Sequence, residues 1–338
     1  MKQEEKLSTK VTEDDIKDGV EDEFGVVYSR DGKRLLTCKK RELKDYNIKE
    51  STMVICDEAF KCCSFLRQIT IPNSVMCIGN EAFAYCESLQ RITILNSVTS
   101  IGESTFKGCE NLQQITIPSS VQSIGKNAFY SCTSLRQITF LGMVKEVGNN
   151  SSCLFSLEDI IIPEKSLEHF KSILPNMCDK LISPDVTDDD INNGEPDEYG
   201  VVYSKDGKRL LKCQKEDIET YNVKDGTKII CKEAFLGCNK LNQIDIPNSV
   251  TSIGQQAFVC CYSLQQIIIP NSVTSIGEIT FNYCDKLEKI TILNPIIDIE
   301  DSAFESCDNL QEIIIPEGSD EHFKQVLSNK YWDKIKTP

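Results

Sequence analysis

The sequence has few of the residues and motifs on which enzymes commonly depend. Among its 338 residues there are only two histidines, and it contains neither a GxxxxGKS/T nor a GxGxxG phosphate-binding loop. It also lacks any run of about 18 apolar residues, the length at which a helix could span a bilayer. The sequence therefore predicts no nucleotide site, no cofactor and no insertion into a membrane.

Basic residues are also scarce relative to acidic ones, and the net charge is −15. This balance argues against nucleic acid or an anionic membrane surface as a partner, and it keeps an elongated molecule soluble. Residues 1–10, MKQEEKLSTK, lack the apolar core of a secretory signal and are expected to be disordered. The lack of a signal is compatible with a cytosolic protein, with a protein exported by another route and with an excised fragment.

What the sequence does contain is one repeated unit, clearest at residues 112–134, LQQITIPSSVQSIGKNAFYSCTS. A period of about 20–29 residues with an L-x-x-I-x-I core is typical of leucine-rich repeats, which stack because a single unit cannot bury its apolar face. The phenylalanines that mark successive copies recur at one constant interval in each half of the chain, and they are Phe60, Phe83, Phe106 and Phe129, then Phe235, Phe258, Phe281 and Phe304.

Each part of this unit predicts a local structure. The alternation Ile115-x-Ile117 predicts a short strand with both isoleucines in the core, and Pro118 ends it because proline cannot donate a ladder hydrogen bond. Gly125 is expected to permit a sharp bend. Phe129 and Cys132 have helical spacing, which predicts a short helix with one apolar face.

These elements together define the fold class. The sequence predicts an α/β repeat solenoid, a leucine-rich-repeat horseshoe or arc with 23-residue repeats. Parallel strands are expected on its concave face and short helices on its convex face.

Seventeen cysteines are present, and eight of them follow the repeat, three residues after each marker phenylalanine. A buried free thiol acts as a small apolar side chain, so a ladder of reduced cysteines is predicted. Metal binding would need ligands that converge on one point, whereas a ladder spreads them along an axis. The predicted ladder consists of Cys63, Cys86, Cys109 and Cys132, then Cys238, Cys261, Cys284 and Cys307.

The repeat array is itself duplicated. Residues 11–129 match residues 186–304 at an offset of 175, and each copy contains, before its first repeat, VVYSRDGKRLL or VVYSKDGKRLL, a pattern typical of a β-hairpin. Each copy ends in a predicted amphipathic cap helix, where the offset falls to 153, so the second copy lacks one unit, which corresponds to the irregular stretch 141–159. We therefore predict two domains: 11–183 with about six strands, and 184–338 with about five.

The loops of the ITIPNSVTSIG type followed by AFxxCxxL resemble the BspA-like, or Treponema pallidum-type, leucine-rich-repeat family. Instances are ITIPNSVMCIGNEAFAYCESL (69–89) and IDIPNSVTSIGQQAFVCCYSL (244–264), and the resemblance extends over about residues 20–335. Members of this family are commonly surface proteins of bacteria and protists, and some are adhesins for host matrix proteins or other cells. The resemblance thus implies a binding role at the cell surface.

Residues that could perform catalysis or bind metal have simpler explanations. His169 and His322 are equivalent positions in the two end caps, with no nucleophile or repeated carboxylate nearby in sequence, so packing or solvation is expected. The acidic run that begins at Asp188 resembles a calcium loop, but Asn193 and Tyr199 stand where glycine and a bidentate glutamate are required. A solvated helix start explains the acids better.

The remaining candidates face outward from the strands. In the first block these columns are uniform, consisting of Gln68, Arg91, Gln114 and Gln137 beside Thr70, Thr93, Thr116 and Thr139. The second block breaks this uniformity with apolar and charged side chains, which are typical of the centre and rim of a binding patch. Its candidate binding residues are Asp245, Gln266, Ile268, Lys289, Thr291, Glu312 and Ile314. Alternatively, the isoleucines only raise strand propensity or face a neighbouring cap.

We interpret the sequence as a non-catalytic module that recognises another protein. Adhesion, or a surface-antigen role, is the leading hypothesis because the family resemblance implies it. An intracellular scaffold for protein interactions is the alternative, favoured by the missing signal and the unpaired pattern of the cysteines. An enzyme with an appended array is disfavoured because no residues are left for a catalytic domain.

Overall fold

The computed structural model of the protein describes residues 7–148, 156–295 and 297–338. The chain forms two compact units, Met1–Leu181 and Ile182–Pro338. Each unit is an α/β repeat solenoid built from parallel strands, as the constant spacing of the repeats predicts. None of the helices in the described part is long and apolar enough to cross a membrane.

The predicted I-x-I strands of each unit form two consecutive parallel sheets, in which equivalent residues pair from repeat to repeat, as Ile115 does with Ile138. The first of the two sheets ends with Arg91–Thr93 in the first unit and with Gln243–Asp245 in the second. In the first unit the strands are Asp45–Asn47, Gln68–Thr70, Arg91–Thr93, Gln114–Ile117, Gln137–Phe140, Asp159–Ile161 and Leu181–Ile182. In the second unit they are Thr220–Asn222, Gln243–Asp245, Gln266–Ile269, Lys289–Ile292, Glu312–Ile314 and Ile335–Lys336. We call the outward side of these strands the strand face.

A further sheet in each unit consists mainly of two-residue strands and begins with the antiparallel hairpin. In the first unit its strands are Val20–Glu21, Val26–Tyr28, Arg34–Cys38, Val54–Ile55, Cys77–Ile78, Ser100–Ile101, Ser123–Ile124 and Glu146–Val147. In the second unit they are Glu195–Pro196, Val201–Tyr203, Arg209–Cys213, Ile229–Ile230, Ser252–Ile253, Ser275–Ile276 and Asp298–Ile299. The repeat pattern had not predicted these short strands.

The predicted short helix within each repeat is wrong, because the segment that carries Phe129 and Cys132 is a series of turns. Left-handed residues interrupt it, such as Asn127 (φ 56°) and Ser131 (φ 58°). Its N–H groups also bond to the neighbouring repeat, as Phe106 N does to Ala128 O at 2.8 Å, instead of continuing along a helix. Helices occur only at unit ends in the described residues: α-helices Glu13–Asp18, Leu167–Ile173, Asp188–Asn193 and Asp320–Val326, and 3-10 helices Pro175–Lys180 and Asn329–Lys334.

The core is a pair of stacked columns that run through each unit. The marker phenylalanines are fully buried, and in the first unit their ring centroids are 5.4 to 5.7 Å apart with nearly parallel planes. Beside them, six of the eight ladder thiols donate to the phenylalanine carbonyl of the preceding repeat, as Cys109 does to Phe83 at 3.2 Å. Burial raises the pKa of the Cys109 thiol well above its usual value, so the predicted ladder of buried thiols is present.

The repeat glycines have a different role from the one predicted. Gly125 is not in the left-handed region, so it does not serve to permit a conformation forbidden to other residues. A Cβ atom on Gly125 would instead lie 2.4 Å from the backbone nitrogen of Glu103, in the preceding repeat. Glycine is therefore required because successive backbones approach too closely for a side chain.

The start of each unit is closed by its hairpin. In the first unit, Arg34–Cys38 pairs with Val54–Ile55 of the first repeat. The buried Tyr28 and Tyr46 hydroxyl groups are 2.6 Å apart, and Tyr46 donates to Asp22. The second unit repeats this arrangement. The hairpin thus shields the first apolar layer, and the buried tyrosine hydroxyl groups there are hydrogen-bonded.

Residues 1–10 were predicted to be disordered, and residues 1–6 lie outside the described part of the chain. Residues 7–10 are held against the first unit. Thr9 O accepts a hydrogen bond from Asp57 N at 2.8 Å, and Arg34 donates to the carbonyls of Ser8 and Lys10. The solenoid therefore begins to organise the chain before Val11.

Cutting the chain between Ser183 and Pro184 is expected to give two fragments that fold independently. The cut leaves strand Leu181–Ile182 in the first fragment and leaves the Lys232 N–H to Pro184 carbonyl bond, 3.1 Å, in the second. Circular dichroism of the separate fragments should show cooperative melting of each. An unfolded 184–338 fragment would contradict a domain boundary here.

Candidate protein-binding surface

The predicted residues of the second unit lie on its strand face because each strand alternates with period two. Ile267, Ile290 and Ile313 are buried, so their neighbours in sequence point outward. Parallel pairing then aligns two outward rows: one joins Gln266, Lys289 and Glu312, and the other joins Ile268, Thr291 and Ile314. Asp245 belongs to the adjoining strand, Gln243–Asp245.

The charged row is internally paired. Glu312 lies 3.8 Å from the Lys289 ammonium and accepts a 2.6 Å hydrogen bond from Lys336 Nζ. The bond from Lys336 lowers the pKa of the Glu312 carboxyl group. This row therefore places one pair of opposite charges, Lys289 and Glu312, beside the apolar row, and Lys336 adds a second positive charge at the edge of the sheet.

The apolar row is less uniform than predicted. Ile268 is 57% exposed, one of the most exposed large apolar residues in the described chain. Ile314 is half-buried, because the terminal strand Ile335–Lys336 adds to the sheet and pairs Ile314 with Lys336. Ile268 is thus the better anchor for a partner, and Ile314 lies at the edge.

The strand face of the first unit differs from its prediction. Gln68, Arg91 and Gln114 are exposed, as the uniform polar surface requires. Gln137 and Thr139 are buried, and the Gln137 amide lies 3.3 Å from the Thr139 hydroxyl. The open polar surface of this unit is therefore shorter than the sequence indicates.

Exposed aromatic residues occur on the turns that carry the marker phenylalanines and cysteines, where sequence reasoning had not placed a candidate site. In the first unit, the Lys107 ammonium lies 5.3 and 5.6 Å from the ring centres of Tyr85 and Tyr130. In the second unit, Tyr262 and Tyr283 are exposed. The sequence feature that could have identified these positions is a tyrosine that lies between the marker phenylalanine and cysteine of a repeat, or directly beside one of them. Tyrosine is common at binding hot spots.

The two histidines serve as structural residues of the caps. Each Nε2 is 2.7 Å from a backbone carbonyl, that of Val144 for His169 and that of Ile297 for His322. Since a carbonyl only accepts, Nε2–H is the donor. Among the described residues, no three His, Cys, Asp or Glu side chains lie close enough together to hold a metal ion.

Stability of the second unit is expected to fall as the pH decreases from 6.5 toward 5. Burial lowers the pKa of His322 below its usual value of 6.5. The unfolded chain therefore binds a proton in this range more readily than the folded one does, and stability is lost as pH falls. Urea unfolding of the wild type should show this slope, and His322→Gln should reduce it. An unchanged slope in the variant would assign the effect to other groups.

The repeats of both units also identify the family of the chain. The model of the family described as BspA type leucine rich repeat region (6 copies) matches residues 38–182 and 212–331. The chain belongs to the BspA-type leucine-rich-repeat family. The resemblance read from the sequence motifs is confirmed, and membership indicates protein binding in general terms. The family is also generally non-catalytic.

Several solved structures are similar to this BspA-type chain. A leucine rich cell surface protein from Faecalibacterium prausnitzii A2-165 is 25% identical, with 85% of this chain and 82% of that chain covered and a TM-score of 0.34. A leucine-rich repeat protein from Bacteroides ovatus ATCC 8483 is 23% identical, with 94% and 97% covered and a TM-score of 0.34. The T. pallidum leucine rich repeat protein is 20% identical, with 71% and 87% covered and a TM-score of 0.36. Comparison with curated proteins finds no match.

Proposed function

We propose that this chain is a protein-recognition module of the adhesion or surface-antigen type, and that the strand face of the second unit contacts the partner. The observation that carries this proposal is the exposure of Ile268 next to a row of paired charges. An exposed apolar anchor with a polar rim is the usual composition of a binding patch. Membership of the BspA-type family, which indicates protein binding, supports the same role.

The rigidity of the strand face supports this assignment further. The strand Lys289–Ile292 at its centre is paired with both neighbouring strands, and Gln266–Ile269, which carries Ile268, is paired with Lys289–Ile292 along its whole length. Association with such a surface orders few additional groups, which lowers the entropy cost of binding. The core beneath the strands tolerates little change, so partner choice is expected to depend on the outward residues.

The double substitution Ile268→Asp with Ile314→Asp is expected to lower affinity for the partner at least about tenfold, equivalent to about 1.4 kcal/mol. The loss follows because two carboxylates would replace the apolar row. Binding of the full chain to a panel of immobilised extracellular matrix proteins, measured by surface plasmon resonance, tests this expectation.

Thr93→Asp is the matched control, since Thr93 occupies the position in the first unit that Ile268 occupies in the second. Urea unfolding of each variant separates a loss of binding from a loss of structure. Unchanged affinity in the double variant would place the binding surface elsewhere, with the turn-side tyrosines as the next candidates.

The alternative function is an intracellular scaffold for protein interactions. It is favoured by the cysteines, since every described one is free, including the exposed Cys62 and Cys178. Protease treatment of intact cells distinguishes the two functions. A surface protein loses its exposed segments to the protease, whereas an intracellular scaffold stays whole until the cells are lysed.

A further inference from the structure

An open groove crosses the short-strand sheet of the first unit. Its volume is about 710 Å³, which lies in the range of pockets that bind ligands. The floor consists of small residues on either side of the buried isoleucine of each short strand. These residues are Cys77, Ser100 and Ser123, and Gly79, Gly102 and Gly125. Because their side chains are short or absent, another chain can lie close to the backbone of the sheet.

Residues 7–10 of the chain itself line one end of this groove. Leu7 packs against the apolar side chains of the hairpin and the first repeat. Thr9 O accepts a hydrogen bond from Asp57 N at 2.8 Å, and Arg34 donates to two further carbonyl oxygens of the segment. The part of the sheet that precedes the open groove is therefore covered by a segment that belongs to no helix or strand.

The second unit holds a different sequence in the same place. There Lys232 N donates to Pro184 O at 3.1 Å, and Arg209 donates to Asp185 O. The covering sequence is LSTK in the first unit and ISPD in the second, yet in both units the hydrogen bonds go to main-chain oxygens. Main-chain hydrogen bonds give affinity for a polypeptide that depends little on its side chains. This surface of the sheet therefore holds polypeptide segments by their backbone.

The open part of the groove has polar and charged groups that such a segment could contact. The Ser100 hydroxyl lies 3.3 Å from the Cys77 sulfur, and a hydroxyl group can make a further hydrogen bond. Three exposed charged side chains also stand along the lining, Glu103, Lys126 and Glu146. None of the three forms an ion pair within the described part of the chain. An acidic group beside Lys126 and basic groups beside the two glutamates would complement this lining.

We propose that this groove binds an extended segment of a partner polypeptide, with an acidic side chain of that segment placed against Lys126. From Cys77 to Glu146 the groove crosses three strand spacings, about 14 Å in total at about 4.8 Å each. An extended chain covers that distance with about four or five residues. The site belongs to the first unit alone and does not depend on the strand face of the second unit.

The test selects peptides from a phage-displayed library of random seven-residue sequences on the immobilised full chain. The library is first depleted on the double variant Ser100→Arg with Ser123→Arg, whose long side chains would fill the groove. Peptides that survive the depletion are synthesised with a fluorescein label, and their affinities are measured by fluorescence anisotropy. We expect an acidic residue to be enriched in them, and their affinity for the wild type to be at least about tenfold higher than for the filled variant.

A reversal of charge tests the placement of the acidic residue. Lys126→Glu should weaken binding of the selected peptide several-fold, because two carboxylates would then face each other. Replacing the acidic residue of the peptide by lysine should restore binding to this variant. Lys126 is exposed, so the substitution changes the charge of the groove without disturbing the core. A lack of restoration would contradict the proposed contact with Lys126.

Two variants of the second unit serve as controls. Ser275 is the equivalent of Ser100, and its hydroxyl lies 3.0 Å from that of Ser252. Ser275→Arg therefore repeats the substitution outside the groove and should leave peptide binding unchanged. Ile268→Asp with Ile314→Asp should also leave it unchanged, so the groove and the strand face can fail independently. Circular dichroism confirms that each variant is folded.

Three results would overturn the proposal. The first is that no peptide survives depletion on the filled variant. The second is that Ser275→Arg weakens binding as much as the filled variant does, which would assign the loss to added positive charge. The third is that peptides bind only after residues 1–6 are removed, which would assign the groove to the chain's own N-terminus.

Discussion

Replacing Phe258 by alanine is expected to lower the free energy of unfolding by about 3–5 kcal/mol. Phe258 is fully buried and stacks between Phe235 and Phe281, with 5.3 Å between ring centres on each side. Removal of its ring would open a cavity in the middle of the column. The neighbouring repeats can move little into that cavity, because their own strands hold them in place. The loss should therefore approach the upper part of the range for such substitutions.

Urea unfolding followed by circular dichroism measures this loss. Tyr262→Ala is the control, because Tyr262 is an exposed aromatic residue of the same repeat, and its replacement should change stability by less than about 0.5 kcal/mol. If the two units unfold in separate transitions, only the transition of the second unit should move. A loss below about 1 kcal/mol for Phe258→Ala would mean that the column relaxes far more than its geometry indicates.

Gly125→Ala is expected to cost about 1–3 kcal/mol, even though it adds a single methyl group. That group would lie 2.4 Å from Glu103 N and 2.5 Å from Gly102 C, both of which are backbone atoms that cannot rotate away. The two repeats would have to separate, and Gly125 N would lose its 2.9 Å bond to Ile101 O. Lys126→Ala, at the exposed next position, should leave stability nearly unchanged and is the control.

The last repeat of the second unit shows how such a separation is accommodated. Glu300 stands there at the position that Gly277 occupies in the preceding repeat. Its N–H bond to Ile276 O is 3.2 Å long, compared with 2.9 Å from Gly277 N to Ile253 O. An end repeat can shift in this way. Gly125 lies in an interior repeat, and the following repeat is stacked closely against it: a Cβ atom on Gly148 would lie 2.7 Å from Gly125 C. If Gly125→Ala were as stable as the wild type, interior repeats would shift as freely as the end repeat does.

The features that depend on the repeat period could be predicted from the sequence. The strands lie within about one residue of their expected positions, because the I-x-I alternation and the following proline define them. The buried phenylalanines and thiols follow from their constant spacing in the same way. The seven candidate binding residues face outward for this reason too, although their role in binding stays a prediction.

The features that depend on contacts between repeats could not be predicted. Phe129 and Cys132, three residues apart, would share one face of a helix and of a tight turn alike, so the spacing could not distinguish the two structures. The half-burial of Ile314 depends on strand Ile335–Lys336, which lies beyond the last recognisable repeat.

The uniform stacking of the repeats also has a consequence for folding kinetics. The side-chain hydrogen bonds between successive repeats join residues that are about one repeat apart in sequence, as in Ser74 with Thr52 and Cys132 with Phe106. Contact order relative to chain length therefore falls as an array lengthens, and folding can begin at any adjacent pair of repeats and spread outward. A unit that gains or loses one repeat, which is how the two units here differ, keeps the same elementary folding steps.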